Sequence, residues 1–274
     1  MTAALLSTLT SARGDQLAVY DWPLSERQTP HGTVFLVHGL GEHMGRYAQV
    51  AARLNDWGFR VRGHDHYGHG LSSGRRGALP SPHRLLDDLA RVMDATPCDG
   101  RVILLGHSMG GVVATRAVAE RLRPVDALVL SSPGFVPRLN PLQQLLLATV
   151  PHIVPQLCVD NGLNPAWLAR DPQAVQAYRQ DPLVHDKISA ALGHWIFHEG
   201  AACIAAARQW RTPTLLLYAG QDRLVRPEGC ARFHEAAPRG VVTARCYAEM
   251  YHEIFNDPDA AQVFADLRAW LMPA

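Results

Sequence analysis

One stretch, residues 101–113, constrains what this chain can fold into more than any other: Arg-Val-Ile-Leu-Leu-Gly-His-Ser-Met-Gly-Gly-Val-Val. Val102, Ile103, Leu104 and Leu105 follow one another without alternation and stop at Gly106. An unbroken apolar run of that length suits a strand covered on both faces. Beyond Gly111 come Val112, Val113, Ala114, Ala117, Val118 and Ala119, then Glu120, Arg121 and Arg123. This predicts a buried helix with its basic residues late, where the helix dipole favours cations. Between the two elements stands Gly106-His107-Ser108-Met109-Gly110, a G-x-S-x-G. A strand that turns straight into a helix bends its backbone sharply at the serine, and glycines two residues to either side let the two elements approach. The turn lifts the Ser108 hydroxyl above the sheet as an exposed nucleophile. The five-residue pattern alone reads equally well as a Gly-rich connection; the strand before it and the helix after it give it chemical meaning.

The same rhythm runs through much of the chain. Residues 17–21 and 59–63 predict strands, and 34–37 form a second unbroken apolar run. Residues 46–57 predict a helix, with Tyr47, Val50, Ala51 and Leu54 at helical spacing and Gly58 as its stop. Leu85, Leu86, Leu89, Val92 and Met93 trace the apolar stripe of another. Strands are expected at 127–130, 214–218 and 241–247, and a helix at 227–236. A last helix is expected with Asp257 as its N-cap, Pro258 in its first position and Val263, Phe264, Leu267, Trp270 and Leu271 along its buried stripe. Apolar strands alternating with helices imply an α/β protein with a mostly parallel sheet and helices on both faces. From residue 135 to 211 the rhythm breaks, with six prolines from Pro137 to Pro172 and an apolar stretch at 142–147 that is not strand-like. Residues 135–211 are therefore expected to be a helical cap inserted into a core made of 1–134 and 212–274.

Composition narrows the function classes. A chain of 274 residues, 47% hydrophobic and 19% charged, can bury a large core. A formal net charge of +1 and the lack of a long basic run give no reason to expect a nucleic-acid partner. Five scattered cysteines, never in C-x-x-C, favour a reducing compartment. The first ten residues have no basic region ahead of their apolar patches, and no apolar run reaches membrane-span length, so a cytoplasmic protein is expected. His64, His66 and His69 miss the zinc-ligand spacings, and no metal or other cofactor is expected. Gly39-x-Gly41-x-x-x-Gly45 is one residue too long for a dinucleotide loop.

Reactive groups on open α/β sheets gather at the carboxyl ends of the strands. Ser108, Asp222 and His252 each follow such an end, in the chain order Ser, Asp, His. The chemistry needs all three types. A serine hydroxyl is a poor nucleophile until an imidazole takes its proton, and the imidazole needs a carboxylate to fix its tautomer and stabilise its cation. Singly, Asp222 could start a turn and His252 is one of 14 histidines; order and placement together select them. A tetrahedral intermediate also needs donors for its oxyanion. The Met109 N–H at the helix start is one candidate, and the Leu40 N–H in the loop after 34–37 is the other.

Several stretches together resemble the monoacylglycerol lipase and lysophospholipase group of α/β-hydrolases. They are His38-Gly-Leu-Gly-Glu-His43, Arg46-Tyr47, Asp65-His-Tyr-Gly-His-Gly70, Gly106-His-Ser-Met-Gly-Gly111, Gln221-Asp-Arg223 and Tyr251-His252-Glu253, and the likeness extends over about residues 14–271. The resemblance implies an α/β-hydrolase fold with an inserted helical cap. It implies hydrolysis, through an acyl-enzyme, of a carboxylic ester such as a monoacylglycerol, a lysophospholipid or a similar single-chain lipid. It makes Ser108 the nucleophile, Asp222 the acid, His252 the base, and Leu40 and Met109 the oxyanion donors. Glu42 and Arg46 match polar residues near the alcohol end of the group's pocket; read as residues alone, they are equally an ion pair bracing the loop. His107 is expected to support the elbow, with a substrate contact as the alternative. Residues 139–154, rich in Leu, Pro and Val, depart from the group's pattern. They are expected either to bury an acyl chain and dock transiently on a lipid surface, or to pack on the core. Thioesterase, acyltransferase and cofactor-free haloperoxidase chemistry would use the same three residues and stay open, as does a binding protein on a hydrolase scaffold, although an intact triad weighs against the last.

Overall fold

The unbroken apolar runs are strands buried on both faces. β3 (Gly32–Val37) and β5 (Arg101–His107) lie side by side and parallel, in register from Gly32↔Arg101 to Val37↔Gly106. Their side chains divide alternately between two cores. Val34, Leu36, Ile103 and Leu105 belong to one; Phe35, Val37 and Leu104 belong to the other. Burial on both sides is why neither strand shows a polar alternation.

These strands sit at the centre of a sheet of eight in a computed structural model that describes residues 4–24, 28–98 and 100–273. The first three residues of the N-terminal stretch weighed above lie outside the described ones. With β1 (Leu5–Thr10), β2 (Gln16–Trp22), β4 (Phe59–His64), β6 (Ala127–Ser131), β9 (Thr214–Ala219) and β10 (Val242–Tyr247), the order is β1-β2-β4-β3-β5-β6-β9-β10. β1 and β2 pair antiparallel, as do β2 and β4; every other pair is parallel. The first core contains the buried faces of α1 (Ala48–Asp56) and α8 (Ala260–Leu271). The second contains those of α2 (Arg84–Asp94), α3 (Met109–Ala119), α6 (Ala190–Ala206) and α7 (Pro227–Ala236). From β3 the chain crosses to β4 on one side and returns to β5 on the other. Strand order therefore reverses between β3 and β5, and the loops leaving their carboxyl ends open a crevice there, the usual ligand position in such sheets.

Several expectations need correction. The helix expected over 46–57 is split: a single 3-10 turn, Met44–Tyr47, precedes α1, and the His43 ring accepts from the Gly45 N–H at its start. α3 ends at Ala119, so Arg121 and Arg123 lie beyond it and Arg116 is the basic residue of its last turn. α8 begins at Ala260 with Asp259 as N-cap, because Asp257 is engaged by Arg170 and by the Asp259 N–H instead. β1 carried no readable signal: Leu5 and Leu6 are exposed on a sheet-edge strand, so its apolar residues trace no buried face.

The inserted stretch is not uniform. It holds α4 (Pro141–Ile153), a ribbon of β7 (Cys158–Asp160) and β8 (Lys187–Ser189), α5 (Pro172–Gln180) and then α6. Asn140 and Gln143 form a capping box at the start of α4, which has no buried residue. α6, by contrast, places Leu192, Trp195, Ile196 and Cys203 in the same core as α3. Its apolar face therefore packs as a core helix even though it lies inside the expected cap.

Candidate active site

The elbow is held in a conformation that an ordinary residue avoids. Ser108 has φ 53° and ψ −120°, a strain of order 1–3 kcal/mol. Its surroundings fix it: the Ser108 N–H donates to the Ser131 carbonyl (3.0 Å), and its own carbonyl accepts from the N–H groups of Gly111 (3.0 Å) and Gly134 (2.9 Å). The glycines are there for approach. A Cβ on Gly110 would run into the carbonyls of Val37 and His38, and one on Gly106 into the Gly110 carbonyl.

Asp222 and His252 form a buried pair. The sharp turn after β9 aims Asp222 inward, where one carboxylate oxygen accepts from the N–H groups of Leu224 (2.8 Å) and Val225 (2.9 Å). The other meets His252 Nδ1 at 2.6 Å. Burial would push the Asp222 carboxyl up, but His252 and those two amides hold it below its ordinary value. Burial would likewise push His252 down; the Asp222 carboxylate, with Glu253 and Glu42 behind it, overcomes this and leaves it raised. With Nδ1 on Asp222, His252 has Nε2 left for chemistry.

Ser108 and His252 line one cavity of about 450 Å³, while Asp222 sits behind the imidazole, off the cavity wall. Ser108 Oγ and His252 are not hydrogen-bonded to each other in this structure, a contact that commonly tightens only when substrate is bound. Leu40 and Met109 line the same cavity, and neither N–H has an acceptor among the described residues. The walls are apolar over most of their extent, with Leu146, Leu147 and Val150 from α4, Leu157 and Val159 beside it, and Ile188 and Ile196 opposite. The volume is in the range of small-molecule sites.

The other expected residues fall into place around this cavity. His107 lines it, and its Nδ1 is fixed on the Ser131 carbonyl at 3.0 Å; burial and the neighbouring His252 push its imidazole down to about 4, so it is neutral. Glu42 also lines it, but both its oxygens are engaged. One accepts from the Gly39 N–H and the Tyr47 hydroxyl, each at 2.7 Å, and the other pairs with Arg46 at 2.5 Å. Arg46 does not reach this cavity. It lines a separate one of about 20 Å³ with Tyr47, Ser131 and Asn256.

Glu253, His38 and His66 have no role legible in the sequence, whereas the family resemblance implies that Asp65 shapes the loop around 64–69. Glu253 binds Arg46 through both carboxylate oxygens (2.8 and 2.7 Å). His38 and His66 hold the carbonyl side of the loop at 38–43: His38 Nδ1 donates to the Gly39 carbonyl (2.8 Å), its Nε2 accepts the His66 N–H (2.9 Å), and His66 Nε2 reaches the His38 carbonyl (3.1 Å). Asp65 accepts from the N–H groups of Met44 and Leu71 and orders the loop beneath. The only signal for these was their place inside the matched motifs. His64, His66 and His69 are fully buried, and among the described residues no group of three or more His, Cys, Asp or Glu is arranged to hold a metal ion.

Comparison with known proteins converges on one family. Residues 28–259 match the serine aminopeptidase S33 family. The chain is 30% identical over 276 residues to an abhydrolase domain-containing protein of Dictyostelium discoideum, spanning 99% of this chain and 29% of that protein. It is 31% identical over 249 residues to the monoacylglycerol lipase of Mycolicibacterium smegmatis, 89% of each chain. The crystal structure of Paleococcus ferrophilus monoacylglycerol lipase superposes with a TM-score of 0.82 at 35% identity, over 92% of this chain and 98% of that one. The eight-stranded, mostly parallel sheet flanked by helices is the α/β-hydrolase fold.

Proposed function

The chain belongs to the serine aminopeptidase S33 family of α/β-hydrolases, and we propose that it is a serine esterase for single-chain lipid esters, monoacylglycerols foremost. One observation carries the reading: His252, backed by a buried Asp222, shares a largely apolar cavity with a serine held at a strained strand-to-helix turn.

In this mechanism Ser108 Oγ attacks the ester carbonyl carbon while His252 Nε2 takes its proton. The carbonyl π electrons move onto oxygen, and the Leu40 and Met109 N–H groups stabilise the oxyanion. Collapse breaks the bond to the alcohol oxygen, which leaves with the proton from His252. A water then attacks the acyl-enzyme, again giving its proton to His252, and the fatty acid departs as Ser108 regains its hydrogen. Asp222 keeps His252 in the tautomer that each step needs. The apolar wall from α4 suits an acyl chain. Leu142, Leu145 and Ile153 of the same helix are exposed, which supports transient contact with a lipid surface. The scattered cysteines support a cytoplasmic location; among the described residues no helix is long and apolar enough to cross a membrane.

A panel of monoacylglycerols, lysophospholipids and short p-nitrophenyl esters, assayed with the wild type and Ser108→Ala, tests this. Turnover of monoacylglycerols that falls by at least about 10³-fold in the variant is expected. Turnover unchanged in Ser108→Ala, or activity confined to thioesters, would overturn it.

A further inference from the structure

Arg46 is hydrogen-bonded to both of the loops on which the proposed reaction depends. The first loop, 38–43, carries the Leu40 amide; the second, 248–253, carries His252. Glu42 belongs to the first, and its Oε1 takes the N–H of Gly39, one peptide before Leu40. That loop is also seated against the nucleophile: a Cβ added to Gly39 would lie 3.2 Å from Ser108 Cβ. Glu253 belongs to the second loop and follows His252 directly; its own N–H is tied to the Leu168 carbonyl at 2.7 Å. The Arg46 guanidinium joins the two. Nη1 donates to Glu42 Oε2 (2.5 Å) and to Glu253 Oε1 (2.8 Å), and Nη2 to Glu253 Oε2 (2.7 Å). The Tyr178 ring from α5 covers it at 4.8 Å.

We propose that Arg46 is a positioning residue for ester hydrolysis: through Glu42 and Glu253 it holds the Leu40 donor and the His252 base in one fixed relation, and the Glu253 carboxylate adds negative potential at the His252 ring. The inference rests on the reading of Ser108, His252 and Asp222 given above. A buried ion pair is a poor device for stability, since well-packed apolar residues do as well. What apolar residues could not do is accept the Gly39 N–H and fix the direction of the next amide. The side chains of Arg46, Glu42 and Glu253 are all nearly buried, at 11%, 5% and 6% exposed. Two carboxylates face one guanidinium, so a negative charge is left over beside the base.

The groups facing His252 are few. Asp222 comes from the turn after β9, Glu253 from its own loop, Glu42 and Arg46 from the loop after β3 and the turn behind it, and the neutral His107 from the elbow. Burial would raise the Glu253 carboxyl, but Arg46 holds it down at about 2, so its charge persists across the working range. A carboxylate near an imidazole favours the imidazolium; its removal makes His252 easier to deprotonate.

The test uses Arg46→Lys, Glu253→Gln and Glu42→Gln, with kcat and KM for a soluble p-nitrophenyl ester measured from pH 5 to 9 and thermal melts of each protein. Arg46→Lys keeps the charge but loses the fork, and kcat is expected to fall on the order of 10²-fold with KM within about threefold. Glu253→Gln keeps the shape and loses the charge, and the acid limb of kcat/KM is expected to move down by at least about half a pH unit, with a smaller downward move in Glu42→Gln. Either Gln variant decides the electrostatic part if the other does not fold. A raised KM with unchanged kcat in Arg46→Lys would make Arg46 a substrate contact and overturn the proposal. So would acid limbs that stay in place while activity falls only in step with melting temperature. Ser108→Ala run alongside separates the two levels: retained turnover there refutes the reaction itself, whereas its loss with unmoved acid limbs refutes only the coupling.

Discussion

Two parts of the segment between β6 and β9 are built on opposite principles. Around α4 there is no buried residue, and Leu142, Leu145 and Ile153 are 63%, 61% and 78% exposed. From residue 161 to 189 the chain is fastened to the reactive loops at point after point. The His185 N–H donates to the Gly41 carbonyl (2.8 Å), Asp181 meets His43 (2.8 Å), and the Leu168 carbonyl takes the N–H of Glu253 (2.7 Å). Arg170 is bidentate to Asp257, and Tyr178 lies over Arg46. Directional bonds fix positions, which a transition state needs to within a fraction of an ångström. Apolar contact fixes area rather than position, which suits a chain of variable length and a surface that comes and goes. One segment between β6 and β9 thus holds two kinds of structure, a bonded scaffold against the loops at 38–43 and 248–253 and an apolar wall on the cavity, and on the proposed function these would place the reacting groups and receive the acyl chain.

If that division is right, acid strikes first and hardest at the buried histidines packed beneath the reactive loops, with His185 of the fastened half among them. Burial depresses His38 and His69 well below their ordinary values, His66 to about 3, and His64 and His185 to about 4. His107 is likewise held at about 4. Each binds its proton more readily in the unfolded chain, so its contribution is fully present above about pH 6.5 and is lost as pH falls toward the folded values. Asp88, raised to about 6, and Asp21, Asp65 and His252, also raised, work in the opposite sense but are four groups against six. Urea unfolding between pH 7.5 and 5 is expected to lose on the order of several kcal/mol. A flat profile would mean that the histidine cluster is not buried neutral.

Neutralising the central cation comes next. Arg46→Met leaves two buried carboxylates facing each other and is expected to cost about 3–5 kcal/mol in urea melts. Leu145→Ala on α4 is expected to stay within about 0.5 kcal/mol. Equal costs would erase the contrast between the halves.

The apolar half should respond to substrate presentation instead. Leu142→Ser, Leu145→Ser and Ile153→Ser combined leave the cavity wall intact, since none of the three lines it. Hydrolysis of monoacylglycerol in vesicles is expected to fall roughly tenfold, while a soluble short ester is turned over as before. An equal fall on both substrates would place α4 in the scaffold. A small effect is also expected at the rim of the fastened half. Asp181→Asn breaks a part-exposed contact with His43 and should cost under about 1 kcal/mol.

How much of this was legible in the sequence follows the same division. Both central strands could be read from unbroken apolar runs, and the elbow from Gly106, Ser108 and Gly110, because local sterics and two-sided burial leave marks within a few residues. Asp222 and His252 were legible as strand-end residues in a fixed order. The bond between them is a property of the fold. Glu253 was not assigned, because its partner Arg46 lies 207 positions away and neither residue type signals the other. The fastening of 161–189 was invisible for the same reason: most of its bonds run from backbone to backbone or join residues far apart in the chain. The prolines and the stretch at 142–147 that mark the break in rhythm lie before α6, so nothing local tells that Leu192, Trp195, Ile196 and Cys203 cover the same core as α3.

Attack by Ser108, with His252 and Asp222 behind it, is open to test by a serine-directed fluorophosphonate followed by peptide mass mapping. A single adduct on the peptide containing Ser108 is expected, forming at least about 10³-fold more slowly in Asp222→Asn. No adduct in an enzyme that still hydrolyses esters, or an adduct on another serine, would contradict it.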